Sequence, residues 1–94
     1  MNPKENQHYV NEHGQQLKNF MIKEFGIEQY RIWCKLNAFK YQARAGKKED
    51  NTEDKDLKKR DDYLDEIYNI QPLKQWAIQC LEEKAKEFEE WEGK

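Results

Sequence analysis

Apolar positions along the chain recur at three- and four-residue steps, and that period predicts helices throughout. In QQLKNFMIKEF, residues Leu17, Phe20, Met21 and Phe25 share one face, and Gly26 supplies a stop. A longer helix follows in IEQYRIWCKLNAFKYQARAG, ending near Gly46. The segment KKEDNTED is charged and has turn chemistry, so it separates this helix from the next. Thr52 is suited to an N-cap, with Glu53, Asp54 and Asp56 at the positive end of the helix dipole. The third helix is expected to run from there to Asn69. Pro72, with a φ suited to a first turn, opens a fourth helix that continues to the end. No stretch alternates for long enough to read as a strand. The fold class is all-α, a small helical bundle of three main helices plus one short helix. Residues 1–14 read as a flexible polar arm, 15–70 as the helical core and 71–94 as an amphipathic acidic C-terminal helix.

At about 100° per residue, the second helix divides in an unusual way. Glu28, Arg31, Lys35 and Gln42 fall in one wholly polar sector, the expected solvent face. Ile32, Leu36, Phe39 and Ala43 form an apolar flank, and Ile27, Cys34, Ala38 and Ala45 a second flank of mostly small residues. Opposite the solvent face lie Trp33, Asn37, Lys40 and Arg44, with Tyr41 and Lys48 close by. Burying Asn, Lys and Arg without partners costs several kcal/mol. These residues therefore meet carboxylates, line a pocket for an anionic ligand, or face another subunit.

The third helix has the complementary pattern. Leu57, Tyr63, Leu64 and Ile67 build its inward face, and Asp56 and Arg60 fall inside the same sector with Lys59 at its edge. Lys58, Asp62 and Asp65 point outward. Asp56 is spaced to pair with Arg60 along the helix and equally able to reach Lys40 or Arg44 next door. Two inner polar rows are expected to confront each other across a shared cleft.

Composition sharpens this picture. Of the 94 residues, 38% are charged and 36% hydrophobic, yet aromatics reach 13%, enough apolar area to offset the cost of ordering. A chain this short makes one domain with a modest core, so association into oligomers is expected. The net charge of -2 hides an asymmetry: residues 1–48 carry nine Lys/Arg and four Asp/Glu, residues 49–94 eight and fifteen. The halves are suited to attract each other, within one chain or between chains. No basic cluster is large enough for duplex DNA. No apolar run approaches transmembrane length and no signal peptide is present, which points to the cytoplasm. Cys34 and Cys80 both sit among apolar residues in helical patterns, as buried thiols rather than a disulfide.

A cleft with Lys40, Arg44 and Lys47 or Lys48 at its rim suits phosphate, since Arg offers a planar fork and Lys a point charge. Tyr41, Tyr63 and Trp33 are placed to stack on a base, and Asn37 to read a base edge or ribose through its amide. Other chemistries fit less well. His8 and His13 form a lone pair in the arm, not a zinc site. Gly46-Lys47 lacks the earlier glycine and following hydroxyl of a P-loop. DDYLDE, residues 61–66, groups carboxylates without a convincing partner pair on a second helix, and reads as a solvated acidic face.

His8-Tyr9, then Asn37-Ala-Phe-Lys40-Tyr41, Arg44-Ala-Gly46-Lys47-Lys48, and finally Asp56-Leu-Lys-Lys59 with Tyr63-Leu64 resemble a small bacteriophage family. It is catalogued as domain of unknown function 3310, the phage nucleotide-kinase-like proteins. Four separate elements fall in order between His8 and about residue 68. The resemblance implies a phage-encoded protein of the host cytoplasm that binds a nucleotide, with nucleotide kinase activity lacking a Walker motif and Mg²⁺ accompanying the nucleotide. It carries over Asn37, Lys40, Tyr41, Arg44, Lys48, Asp56, Lys59 and Tyr63 as the ligand-binding site, completed by His8 and Tyr9 from the arm. The chain departs from the family pattern at Leu36, usually Gly, and at Arg60, usually Ala. The C-terminal helix lies outside the match. There Leu73, Trp76, Ala77, Cys80, Leu81, Phe88 and Trp91 form a wide apolar face between runs of glutamate. That face covers the bundle, supports self-association, or docks on a host protein. The last role belongs to an alternative reading: a non-enzymatic phage inhibitor that sequesters a nucleotide signal or grips a host factor.

Overall fold

The computed structural model describes residues 12–14, 16–47 and 52–93. Among the described residues four helices pack together: α1 (Leu17–Phe25), α2 (Ile27–Arg44), α3 (Glu53–Asp65) and α4 (Gln71–Glu90). No strand occurs among the described residues, and no helix there is long and apolar enough to cross a membrane. The all-α expectation therefore holds, with one short helix and three longer ones.

Local chemistry sets the boundaries. Gly26 separates α1 from α2 at φ +88° and ψ 153°, a backbone conformation that side chains other than glycine rarely adopt. Thr52 caps α3 by accepting a hydrogen bond from the Lys55 backbone N–H at 3.2 Å. Pro72 stands in the first turn of α4, where its missing N–H costs nothing. Two ends fall short of expectation. Helix α3 stops at Asp65 rather than Asn69, because the Glu66 and Ile67 N–H groups close onto the carbonyls three residues back. Helix α4 stops at Glu90, and Trp91 turns to extended backbone.

The core is centred on α2. Tyr30, Cys34, Ala38 and Tyr41 line its buried side and meet Tyr63 and Leu64 of α3 and Ala77 and Leu81 of α4. Small residues at Cys34, Ala38, Ala77 and Ala85 let the helices approach closely. Burying Leu64 contributes about 2 kcal/mol.

The buried side of α2 lies roughly a quarter-turn from the one expected. The inward spine is Tyr30–Cys34–Ala38–Tyr41, so the supposed small flank is the true interior. Ile32 and Leu36, expected on an apolar flank, are 52% and 63% exposed, and Gln42 is half-buried instead of facing solvent. Lys40 is exposed. On α3, Asp62 is buried rather than outward, with Lys58 Nζ at 3.8 Å. Phe20 and Phe25 of α1 are exposed as well. On α2 the shift has a packing cause: aromatic and small side chains in register, Tyr30, Cys34, Ala38 and Tyr41, take the space between helices in place of Ile32 and Leu36.

Electrostatic links follow the charge asymmetry. Lys18 reaches Glu66 at 2.9 Å, and the Tyr30 hydroxyl donates to the same carboxylate at 2.6 Å. Lys47 pairs with Glu89. In these pairs the basic first half and the acidic second half meet within one chain, whereas Lys74–Asp65 at 2.6 Å lies within the second half. Both cysteines are free, Cys34 fully buried and Cys80 half-buried.

Burial pushes the Cys34 thiol up from 9.0 to about 11, and burial likewise raises the Tyr30 hydroxyl, with Glu66 adding to it. A thiol raised in the folded state stabilises fully below its unfolded value and loses that contribution as pH climbs through the folded one. Urea-unfolding stability should therefore hold steady up to about pH 9 and decline between about 9 and 11. Replacing Cys34 with Ala should shallow that decline. A profile that stays flat through this window in the parent chain contradicts the assignment.

Candidate anion-binding site

The site is built where the C-terminal half of α2 lies against α3. Tyr41 is 6% exposed and stacks on Tyr63 with ring centroids 5.8 Å apart and planes at 18°. Trp33 meets Tyr63 edge-on at 5.3 Å. Three cations surround the Tyr41 ring: Lys40 Nζ at 4.6 Å, Arg44 Cζ at 4.8 Å and Lys59 Nζ at 5.4 Å from its centroid. The negative face of the aromatic ring attracts each of them. The cations nevertheless repel one another, so the cluster is a place where added negative charge is favourable.

One carboxylate pairs with the cluster. Asp56 is 0% exposed, and its Oδ1 accepts from Arg44 Nη2 at 2.9 Å. The other oxygen, Oδ2, is buried without a hydrogen-bond partner. Asp56 thus pairs with Arg44 across the helix interface, not with Arg60 along its own helix. It holds the guanidinium over Tyr41, while 27% of the Arg44 side chain remains open to solvent.

Arg60 stands apart from this cluster. Its Nε and Nη2 donate to Asp61 at 3.1 and 2.9 Å, and its Nη1 to Gln42. The large cation that departs from the family pattern is therefore neutralised by its own neighbour. Asn37 donates its side-chain amide to the Trp33 carbonyl at 2.9 Å, one turn back on α2. The expected inner row is thus split: Lys40, Tyr41, Arg44, Asp56, Lys59 and Tyr63 gather at one place, whereas Asn37 bonds within its helix. His8, Tyr9 and Lys48 lie outside the described residues.

The expected base-stacking faces are already used. Tyr63 is 0% exposed, and Tyr41, 6% exposed, stacks on it with the three cations within 5.4 Å of its centroid. Neither tyrosine offers an open flat surface to a base. Two features escaped the sequence. Gln42 and Arg60 bond across the helices because the register of α2 is rotated. Lys47 reaches Glu89, and it also donates to the Ala43 carbonyl at 3.2 Å, fastening the end of α2 to the end of α4. The signal for that link was the basic loop facing a glutamate-rich terminus. Lys47 holds the Glu89 carboxyl below the usual range.

Comparison with known proteins adds lineage. The family described as a protein of unknown function, DUF3310, matches residues 3–65. The SaV protein of Lactococcus phage p2 is 33% identical over 100 aligned positions, covering 99% of this chain and 78% of the relative. The SaV protein of Lactococcus phage SK1 is 40% identical over 70 positions, covering 74% of this chain and 55% of the relative. No solved structure matches the chain.

Arg44→Ala strands a buried carboxylate and should cost about 3–5 kcal/mol in urea unfolding. Asp56→Asn leaves a cation that still reaches water, and should cost only about 1–2 kcal/mol. Equal losses in the two variants would contradict the asymmetric burial of the pair.

Proposed function

The chain belongs to the DUF3310 family, and on that premise we propose that it is a phage-encoded protein that binds a nucleotide through its phosphates. The observation that carries the reading is the convergence of Lys40, Arg44 and Lys59 on the Tyr41 ring. A buried stack fixes the ring, and Asp56 fixes the guanidinium. Lys40 is exposed and Lys59 half-buried, so both are available to phosphate oxygens. A divalent cation, if it takes part, arrives with the nucleotide. Among the described residues no three His, Cys, Asp or Glu side chains gather as a metal cage.

The geometry supports binding first: cations gather at one ring, and the carboxylate paired with them holds Arg44 in place. Sequestration of a nucleotide in the cytoplasm of the host fits the same geometry. A second reading has its own observation: Leu73, Trp76 and Trp91 of the C-terminal segment are 48%, 59% and 62% exposed. A surface of that kind suits a host protein or a second copy of the chain.

Nucleoside mono- and triphosphates at millimolar concentration should raise the melting temperature by several degrees, as expected for a ligand well above its Kd. Lys40→Gln combined with Lys59→Gln should remove most of that shift while leaving the ligand-free melting temperature nearly unchanged. A full shift in the double variant, or none with any nucleotide in the parent chain, contradicts the proposal. Formation of nucleoside diphosphate from monophosphate and ATP would restore the kinase assignment in place of sequestration.

A further inference from the structure

The cation cluster accounts for phosphates but leaves a base without a place, because the Tyr41 and Tyr63 faces are occupied within the fold. A pocket of about 420 Å³ opens directly beside it, lined by Phe39, Lys40, Ala43, Arg44 and Phe88. Its volume lies within the range of small-molecule sites. Two of its lining residues, Lys40 and Arg44, are the same cations that surround Tyr41. The remaining walls are two phenylalanines and an alanine, an apolar surface that can offer no hydrogen bond from its side chains. Phe88 is 49% exposed although it stands in the middle of the last turns of α4. The Lys47–Glu89 pair secures the residue next to it to the end of α2. The pocket wall is therefore anchored at its outer edge while its aromatic face stays open.

We infer that the Phe39–Phe88 pocket takes the base of the nucleotide whose phosphates lie at Lys40, Arg44 and Lys59. This rests on the nucleotide reading above and extends it to residues of α4. The shape of the site fits an amphipathic anion: a flat apolar ring against phenylalanine, with a charged tail leaving across the two cations at the rim. An inorganic polyphosphate satisfies only the second half. Recognition through aromatic surface tolerates many bases, so selectivity among them is weak. The residue that strengthens nucleotide over bare phosphate is Phe88, and it lies beyond residues 3–65, the span matched by the family. Relatives that share the phosphate cations but differ in the last helix should therefore differ in how tightly they hold the nucleoside.

Calorimetric titration of the full chain with ATP and with inorganic tripolyphosphate tests this. ATP should bind about tenfold or more tightly than tripolyphosphate, the worth of one base stacked on an aromatic ring. Phe88→Ala should bring ATP down to the tripolyphosphate level and leave tripolyphosphate unchanged. Phe39→Leu, which keeps volume in the partly buried wall, should weaken ATP alone to a lesser extent. Unchanged ATP affinity in both variants overturns the base pocket while the phosphate site stands. Loss of tripolyphosphate affinity in parallel with ATP assigns Phe88 to the packing of the site and overturns the pocket too. Failure of both probes to bind the parent chain removes the nucleotide reading and this inference with it.

Discussion

Asp56 is fully enclosed between α2 and α3, and a carboxylate can occupy such a place only when a cation meets it. Arg44 does so from the last turn of α2. That requirement fixes the register of the two helices against each other. With the register fixed, Tyr41 falls onto Tyr63, and Trp33 closes on the edge of the second ring. The guanidinium is left lying over Tyr41, and Lys40 and Lys59 fall to the same ring. An ion pair that costs desolvation contributes little net stability, but it determines one arrangement of charges. The cationic cluster is a consequence of that arrangement.

The same register leaves apolar surface uncovered. Two small residues, Ala77 and Ala85, bring α4 close to the bundle around the buried Leu81, while Trp76, Phe88 and Trp91 remain outside. Ile32 and Leu36 of α2 are exposed in turn. A second apolar pocket of about 460 Å³, lined in part by Leu36 and Trp91, shares Phe39 and Phe88 with the first. The fourth helix therefore does more than complete the core. It places Phe88 beside Lys40 and Arg44.

Helix number and type were legible from periodicity, and the starts at Thr52 and Pro72 from their capping chemistry. The orientation of α2 was not. Its hydrophobic and polar residues are spread around the whole wheel, and taking the sector of Glu28, Arg31, Lys35 and Gln42 as the solvent face put the interior opposite it, away from Cys34 and Ala38. Small side chains carry a weak hydrophobic signal, yet they are what close helix packing needs. Asp62 misled for a related reason: a carboxylate in an acidic run reads as surface unless its partner is known. The spacing of Lys40, Tyr41 and Arg44 with Asp56, Lys59 and Tyr63 did identify residues that come together. What spacing could not convey was that the tyrosines serve as support, since stacking faces are consumed or left open only by tertiary contacts. The position of Phe88 beside Lys40 and Arg44 was invisible because it depends on how α4 packs against α2.

The central claim is that the cations around Tyr41 receive phosphate. Backbone amide NMR of the isotopically labelled chain during titration with a nucleoside triphosphate tests it most directly. The account predicts saturable shifts concentrated at Lys40, Tyr41, Arg44 and Lys59, with little change at Ala77 and Leu81 in the core. Shifts that cluster away from Tyr41, or none up to millimolar nucleotide, would contradict it.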